Sequence, residues 1–393
     1  MQSPSTVLAQ ITSTLFPAEF RRCVELFPTR RPTRGLSPYD QFLALVFGQL
    51  TYRESLRDIV CCLQAKQSWL YHLGFRGHIS RTNLAYANHH RDWRLFQAVA
   101  QILMRRAARL YRDDWSDPDW RHVAFALDSS MISLSLDLFP WGYYARSQKA
   151  AMKLHLMLSL QGNLPAWATL TEADFPDMKV LDEIPVAPGA YYVMDRGYVD
   201  FMRLFRLHRT GAFFVVRNRR DVKLRVLSRR PVDKSTGLRC DQMVRLASRW
   251  SWPAYPETLR KIGYHDGENQ VTLILLTNQF DVPALLLTEL YRKRWQVELF
   301  FKWVKQHLRL RSFYGRSPNA VRSQVWSAFC AYLMVAIVKK QMKIPKTLNE
   351  ILQVLSVSVF EQIPLEELLK TKQQTENLDT EREQSQNFLL FSD

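Results

Sequence analysis

Apolar residues recur at helical spacing over the first 115 or so positions, and the period changes near Trp120. A helical run starts near Tyr39 with Gln41-Phe42-Leu43-Ala44-Leu45-Val46-Phe47. Thr51 and Glu54 have the spacing of a capping box, which predicts a second helix through Leu63. Further helices are predicted from Ser80 or Thr82 and over 91–110. After Trp120 the pattern is strand-like. His122-Val123-Ala124-Phe125-Ala126-Leu127 is an apolar run ending at Asp128, 131–136 alternates apolar residues with Ser133 and Ser135, and 153–160 is a third run. Tyr191-Tyr192-Val193-Met194 is a fourth, ending at Asp195, followed by a helix over 200–208 and a fifth strand over 213–216. Three strands followed by alternating strand and helix predict a mixed α/β sheet over 116–220. Pro231, Gly237, Pro253, Pro256, Gly263 and Gly267 break the rhythm over 221–280, which reads as a mostly β insertion. Helical spacing returns from Pro283, so 281–340 completes the α/β domain and 341–393 forms a helical and acidic C-terminal part, polar over 371–386.

Charge narrows this picture. The 393 residues carry a formal net charge of +17, while 47% hydrophobic and 12% aromatic content marks a globular chain. From Glu361 to the end there are eight Asp/Glu against three Lys/Arg, so the basic character belongs to the body. A body this basic calls for a polyanionic partner, and nucleic acid is the leading expectation. The all-helical 1–115, with scattered Arg and His and with Arg30, Arg31 and Arg34 in an early loop, is then read as a DNA-binding domain. The five cysteines form no C-x-x-C pair, which points to a reducing compartment without a disulfide framework or zinc cluster. The start of the chain shows no secretory signal, and the apolar stretch 325–338 is too short to span a bilayer. A cytoplasmic, bacterial, nucleoid-associated protein without a membrane partner is expected.

Three carboxylates stand out. Asp128 and Asp195 lie at the ends of predicted strands, where an α/β sheet presents side chains to a crevice, and Gly197 allows a tight exit after the second. At about 100° per residue, Tyr291, Arg294, Glu298, Lys302 and Lys305 form one stripe of a helix, beside an apolar stripe of Val297, Phe301, Val304 and Leu308. A lone Glu among Lys and Arg is ordinarily a solvated ion-pair face. Three cations, a Tyr and one carboxylate on a helix rich in Trp and Phe fit better a basic face that holds phosphates while Glu298 reaches a metal. Two Mg²⁺ (or Mn²⁺) ions about 3.5–4 Å apart suit in-line phosphodiester displacement, and Asp128, Asp195 and Glu298 are the hard oxygen ligands such ions need. Lys149 and Lys153 are further candidates for phosphate contact, whereas His155 reads as a buried strand histidine. Asp137, Asp174, Asp177 and Glu289 compete as carboxylates, but none combines a strand end with a basic stripe.

Tyr291-x2-Arg294-x3-Glu298-x6-Lys305 resembles the Y-R-E-K signature of DDE transposases of the bacterial insertion-sequence-four type. Asp128 in Ala-Leu-Asp-Ser-Ser is similar to the family's first Asp, and Asp195 in Val-Met-Asp-Arg-Gly-Tyr to its second. The segment Gly35-Leu36-Ser37-Pro38-Tyr39-Asp40-Gln41-Phe42 resembles a helical domain common in such enzymes. The resemblance implies an RNase-H-like mixed sheet with flanking helices, a β insertion before the Glu, and an N-terminal helical domain. It further implies a homodimer on double-stranded DNA, cutting at transposon ends and joining to target DNA, with a hairpin intermediate as one route. In hairpin-forming relatives a flipped base stacks on an aromatic side chain. Trp250 or Trp252 could serve in that role, which their spacing from Glu298 does not decide, and both read first as core residues. Two alternatives remain open at this point: a catalytically silent DNA-binding relative, and a metal-dependent nuclease without strand transfer.

Overall fold

The computed structural model describes residues 5–370 apart from 30–34, 115–119, 121, 145–147, 250–251, 268–269 and 308–312. Trp250, Leu308, the arginines of the early loop and the polar tail from 371 therefore lie outside the described residues. In chain order the helices α1 (Val7–Thr12), α2 (Pro17–Leu26), α3 (Pro38–Leu50), α4 (Leu56–Gln64), α5 (Arg81–His90) and α6 (Arg94–Leu110) come first. They are followed by β1 (Ala124–Leu134), β2 (Tyr143–Tyr144), β3 (Lys149–Ser159), β4 (Leu164–Glu172) and β5 (Tyr191–Met194). Next are α7 (Phe201–Arg209), β6 (Phe213–Arg217), β7 (Leu224–Arg230), β8 (Leu238–Leu246), β9 (Leu259–Asp266) and β10 (Val271–Thr277). The described chain then runs through α8 (Ala284–Arg292), α9 (Trp295–His307), α10 (Pro318–Gln341), α11 (Leu348–Ser358) and α12 (Leu365–Leu369). Residues 1–110 and 305–393 form one compact unit, and 111–304 the other.

The first unit is helical and organised on α10. This helix is apolar around its whole circumference, and 94% of its most apolar 18-residue window is buried within the protein. At 24 residues it is longer than the apolar stretch that marks it in the sequence, and α3, α6 and α11 pack against it. Burial on all sides is what such a helix requires in a globular core. The α3 start is set by Ser37, whose hydroxyl accepts from the Asp40 amide at 3.0 Å while the Asp40 carboxylate accepts from the Ser37 amide at 3.1 Å. The box expected at Thr51 is not used. Thr51 ends α3, Tyr52 takes a left-handed φ of 55°, and Ser55 caps α4 by accepting from the Asp58 amide. The C-terminal helices thus share a unit with the N-terminal ones, a long-range association that local periodicity does not report.

The second unit is built on one mixed sheet in the order β2-β3-β1-β5-β6-β10-β9-β8-β7, with β4 pairing β3. This is the RNase-H-like α/β architecture that the resemblance implies: an antiparallel β4-β3-β1 start with β5 and β6 added in parallel to β1. One expectation changes. The runs 122–127 and 131–136 are not separate strands. β1 continues unbroken through Asp128, because Ser129 and Ser130 pair with His155 and Leu154 of β3. The β insertion comprises β7 to β10. Its four strands extend the main sheet, with β10 antiparallel to β6. Asn278 secures that junction, accepting from the Phe214 amide at 2.9 Å and donating to the Ala212 carbonyl at 2.8 Å.

Candidate active site

Strand register brings the two aspartates together. In the parallel β1–β5 pair Leu127 stands opposite Met194, so the next residues in each chain segment, Asp128 and Asp195, come side by side. Equal register in a parallel pair puts both side chains on the same face. Asp195 follows the last residue of β5, as the sequence predicts, and Asp128 lies within β1 rather than at its end.

The Y-R-E-K residues are not on one continuous helix. α8 ends at Arg292, Lys293 and Arg294 form the turn, and α9 begins at Trp295. The turn leaves the constellation intact. Tyr291, buried on α8, donates its hydroxyl to Asp195 Oδ1 at 3.2 Å. Arg294 donates through Nη1 to Asp128 Oδ2 at 2.9 Å and through Nη2 to Glu298 Oε1 at 2.7 Å. The second bond is an i,i+4 pair visible in the sequence; the first joins residues 166 positions apart. One guanidinium therefore bridges the first aspartate and the glutamate.

Electrostatics follow from this crowding. Burial pushes the Asp128 carboxyl up to about 6; the Ser129 amide and Arg294 oppose the rise, and the Glu298 and Asp195 charges add to it. Burial, then the charge on Asp195, pushes the Tyr291 phenol up to about 12, so it stays a hydrogen-bond donor. Burial lowers Arg294, but Tyr291, Asp128 and Glu298 together outweigh it and the guanidinium is held firmly charged. Lys302 is exposed on α9, and burial lowers Lys305 on the same helix. A cavity of about 490 Å³ opens beside the carboxylates, lined by Tyr291, Arg294, Arg217, Arg292, Trp295 and Asp266 among others.

Of the four competing carboxylates, Asp177 belongs here. It accepts from Ser129 Oγ at 2.8 Å, next to Asp128, and from Lys153 Nζ at 3.1 Å, and its Oδ2 is 3.7 Å from where a Cβ on Gly197 would stand. It thus bonds the residue just after Asp128 and stands close to Gly197, two residues after Asp195. It sits at the start of a short 3₁₀ turn, Asp177–Asp182, where no periodicity marks it. Lys153 also donates to the Phe175 carbonyl at 2.7 Å and its side chain is 14% exposed, so its ammonium points inward; Lys149 is exposed. Tyr198, two residues beyond Arg196, is buried, and burial, then Asp128 and Asp177, raises its phenol well above the ordinary range. Trp252 is 50% exposed, against the expectation of a core residue.

His155 is fully buried, as its strand position predicts, with Nε2 2.9 Å from Thr171 Oγ1. Burial pushes it down to about 4; Asp177 opposes and Lys153 adds. In the unfolded chain an imidazole protonates near 6.5. Between about 6.5 and 4 the unfolded state therefore binds more protons, and stability falls as pH falls through that window. The loss from this residue should reach roughly 2–3 kcal/mol by about pH 4.5. Urea unfolding midpoints of the wild type and His155→Gln at pH 7.5 and 4.5 check this: the variant should lose distinctly less stability on acidification.

The family model described as "Transposase DDE domain" matches residues 119–334, more than half of the chain. The chain belongs to the DDE transposases. A second family model, described only as a domain of unknown function, matches residues 3–76. The transposase chain is 31% identical over 258 residues to a protein of Sinorhizobium fredii named as a transposase, y4zB, covering 65% of this chain and 70% of that one. It is 28% identical over 219 residues to the named transposase of insertion sequence element IS5377 of Geobacillus stearothermophilus, covering 55% and 57% respectively. Among solved structures, a chain of the piggyBac transposase synaptic complex with hairpin DNA aligns over 94% of this chain and 86% of that one, with a TM-score of 0.46 and 9% identity. Membership makes this chain an enzyme of DNA phosphodiester chemistry that depends on divalent metal. All five cysteines are free.

Proposed function

We propose that this transposase, of the insertion-sequence-four type, cuts at the ends of its element and joins the freed 3′-OH to target DNA. The observation that carries the reading is the side-by-side placement of Asp128 and Asp195, with Glu298 drawn to the same place by Arg294. The donor set fits a divalent cation: all three side chains are hard carboxylates, and Asp128 is raised partly by the negative charge of the other two. We assign Asp128, Asp195 and Glu298 as the ligands of two Mg²⁺ or Mn²⁺ ions. Bound there, such ions offset charge at the attacking and leaving oxygens of an in-line displacement.

The protein's own residues do the rest. Tyr291 fixes Asp195 by donating to it, and Asp177, itself held by Lys153, fixes Ser129 next to Asp128 on β1. Arg294, Lys302 and Lys305 on the Glu side, with exposed Lys149, hold the DNA backbone by charge-assisted hydrogen bonds. Lys153 is assigned to supporting Asp177, since its ammonium is already committed there. In cleavage, water attacks phosphorus and the P–O3′ bond breaks, leaving a 3′-OH. In transfer that hydroxyl attacks a target phosphate and a target 3′-oxygen leaves. The helical 1–115 is assigned to DNA binding and the active form is a homodimer on two ends, working on the bacterial nucleoid in the cytoplasm.

The test is incubation of the purified protein with a duplex bearing the element's own ends, a target plasmid and Mg²⁺. Joined products are expected, and cut ends covalently closed as hairpins would identify that route. Cut ends that never join would reduce the enzyme to a nuclease, and binding without any nick would remove the catalytic reading.

A further inference from the structure

Arg294 occupies an unexpected place for a residue assigned to DNA phosphate. Its side chain is 13% exposed, and both of its terminal nitrogens are bonded to carboxylates that the proposed function reserves for metal. The other Asp128 oxygen accepts from the Ser129 amide at 2.8 Å, so each oxygen of that carboxylate already has a donor. Among the described residues no three His, Cys, Asp or Glu side chains stand together as a ready-made metal cage. A guanidinium stands between two of the carboxylates in place of one.

A guanidinium and a divalent ion compete for the same carboxylate charge and repel each other at such range. Without any cation, the like charges of Asp128, Asp195 and Glu298 would repel one another in a half-buried site. Arg294 also borders the open cavity that Arg217 and Arg292 line together with Asp266, so open space with further arginines adjoins it.

We propose that Arg294 is the resident cation of the DNA-free site: it holds Asp128 and Glu298 together until divalent metal enters, and then turns to a backbone phosphate of the bound DNA. This rests on the metal assignment above. Metal and DNA binding are thereby coupled through one side chain, and the coupling is reciprocal: metal frees the arginine for DNA, and DNA draws it off the carboxylates. An idle copy of the protein keeps its carboxylates paired and takes up metal poorly.

The experiment is titration of the full-length, DNA-free protein with Mn²⁺ at pH 7.5, following free Mn²⁺ by electron paramagnetic resonance. Arg294→Ala should bind Mn²⁺ about tenfold or more tightly than the wild type, which is about 1.4 kcal/mol. Arg294→Lys should fall between them, since a point-charge ammonium does not bridge two carboxylates as a planar fork does. Equal or weaker binding by Arg294→Ala overturns the proposal, because an arginine that merely scaffolds the site would lose metal when removed. Should the Ala variant fail to fold, as judged by near-ultraviolet circular dichroism, an unchanged affinity in Arg294→Lys overturns it instead. Asp128→Asn is the separate control: it should weaken Mn²⁺ binding whatever Arg294 does, and if it does not, the metal assignment fails, not the role of the arginine.

Discussion

Replacing Asp128, Asp195 or Glu298 by its amide is expected to lower DNA strand cleavage by on the order of 10³-fold or more, above the 10- to 100-fold that altering a group behind a metal ligand costs. The amide keeps the shape of the side chain but gives up the charge that divalent metal requires. Asp195→Asn can still accept from Tyr291 through its amide oxygen, so loss of activity there reports the charge and not the contact. Asp128→Asn should carry a second signature. Its carboxyl is raised to about 6 by burial, helped by Glu298 and Asp195, so ionising it works against folding. For an acid whose folded value is raised, the stability contribution is fully present below the unfolded value near 4 and is lost as pH rises through 6. At pH 7.5 in chelator, Asp128→Asn should therefore be more stable than the wild type by about 1–3 kcal/mol while being inactive. Urea unfolding beside a cleavage assay reads both quantities. Wild-type cleavage by any one of the three variants would remove that residue from the catalytic set, and a less stable Asp128→Asn would show that the carboxylates do not strain the fold.

That trade of stability for function explains which parts of the site the sequence displays. Asp195 is legible because a buried four-residue strand, Tyr191–Met194, ends beside it and Gly197 follows. Glu298 is legible because helical spacing fixes its neighbours, and the Arg294–Glu298 pair is a local i,i+4 contact. The break between α8 and α9 escapes that reading, since Lys293 and Arg294 carry no proline or glycine to announce a turn. Asp128 is legible only in part. Ser129 and Ser130 look like a strand end when polarity alone is read, but both pair with β3, and Ser129 faces the polar cluster of His155, Lys153 and Asp177, which makes its hydroxyl welcome inside a continuous strand. Asp177 has no periodic signature at all, because its role is made of contacts 20 to 48 positions away. The same holds for the fold: element types follow from local pattern, whereas the joining of the insertion to the main sheet is decided by pairings that only the folded chain makes.

The largest expected loss of stability lies away from the carboxylates, at the ion pair of the insertion. Asp241→Ala should destabilise the protein by about 3–5 kcal/mol. Arg260 on β9 donates through Nε and Nη2 to the two oxygens of Asp241 on β8 at 2.8 and 2.7 Å, with the two side chains only 2% and 7% exposed. Removing the carboxylate strands a buried cation, which is far more costly than losing an exposed pair. Arg219→Ala, which breaks an exposed pair with Asp221, should by contrast leave the unfolding midpoint where it is. Arg260 has a second duty. Its Nη1 donates to the carbonyl of Val282 at 2.6 Å and lies 3.3 Å from those of Gln279 and Phe280, so it organises the segment leading into α8, the helix that carries Tyr291. Replacing both partners by apolar residues, Asp241→Leu with Arg260→Met, should therefore recover only part of the loss. The ion pair is removed cleanly, but the carbonyls of Gln279 and Val282 lose the Arg260 donor, while that of Phe280 keeps Arg230. Guanidinium unfolding of the single and double variants separates the two duties. A double variant as stable as the wild type would mean that the carbonyl contacts contribute nothing. A double variant that stays folded yet cleaves DNA slowly would show that the insertion acts on the active site by holding the path into α8.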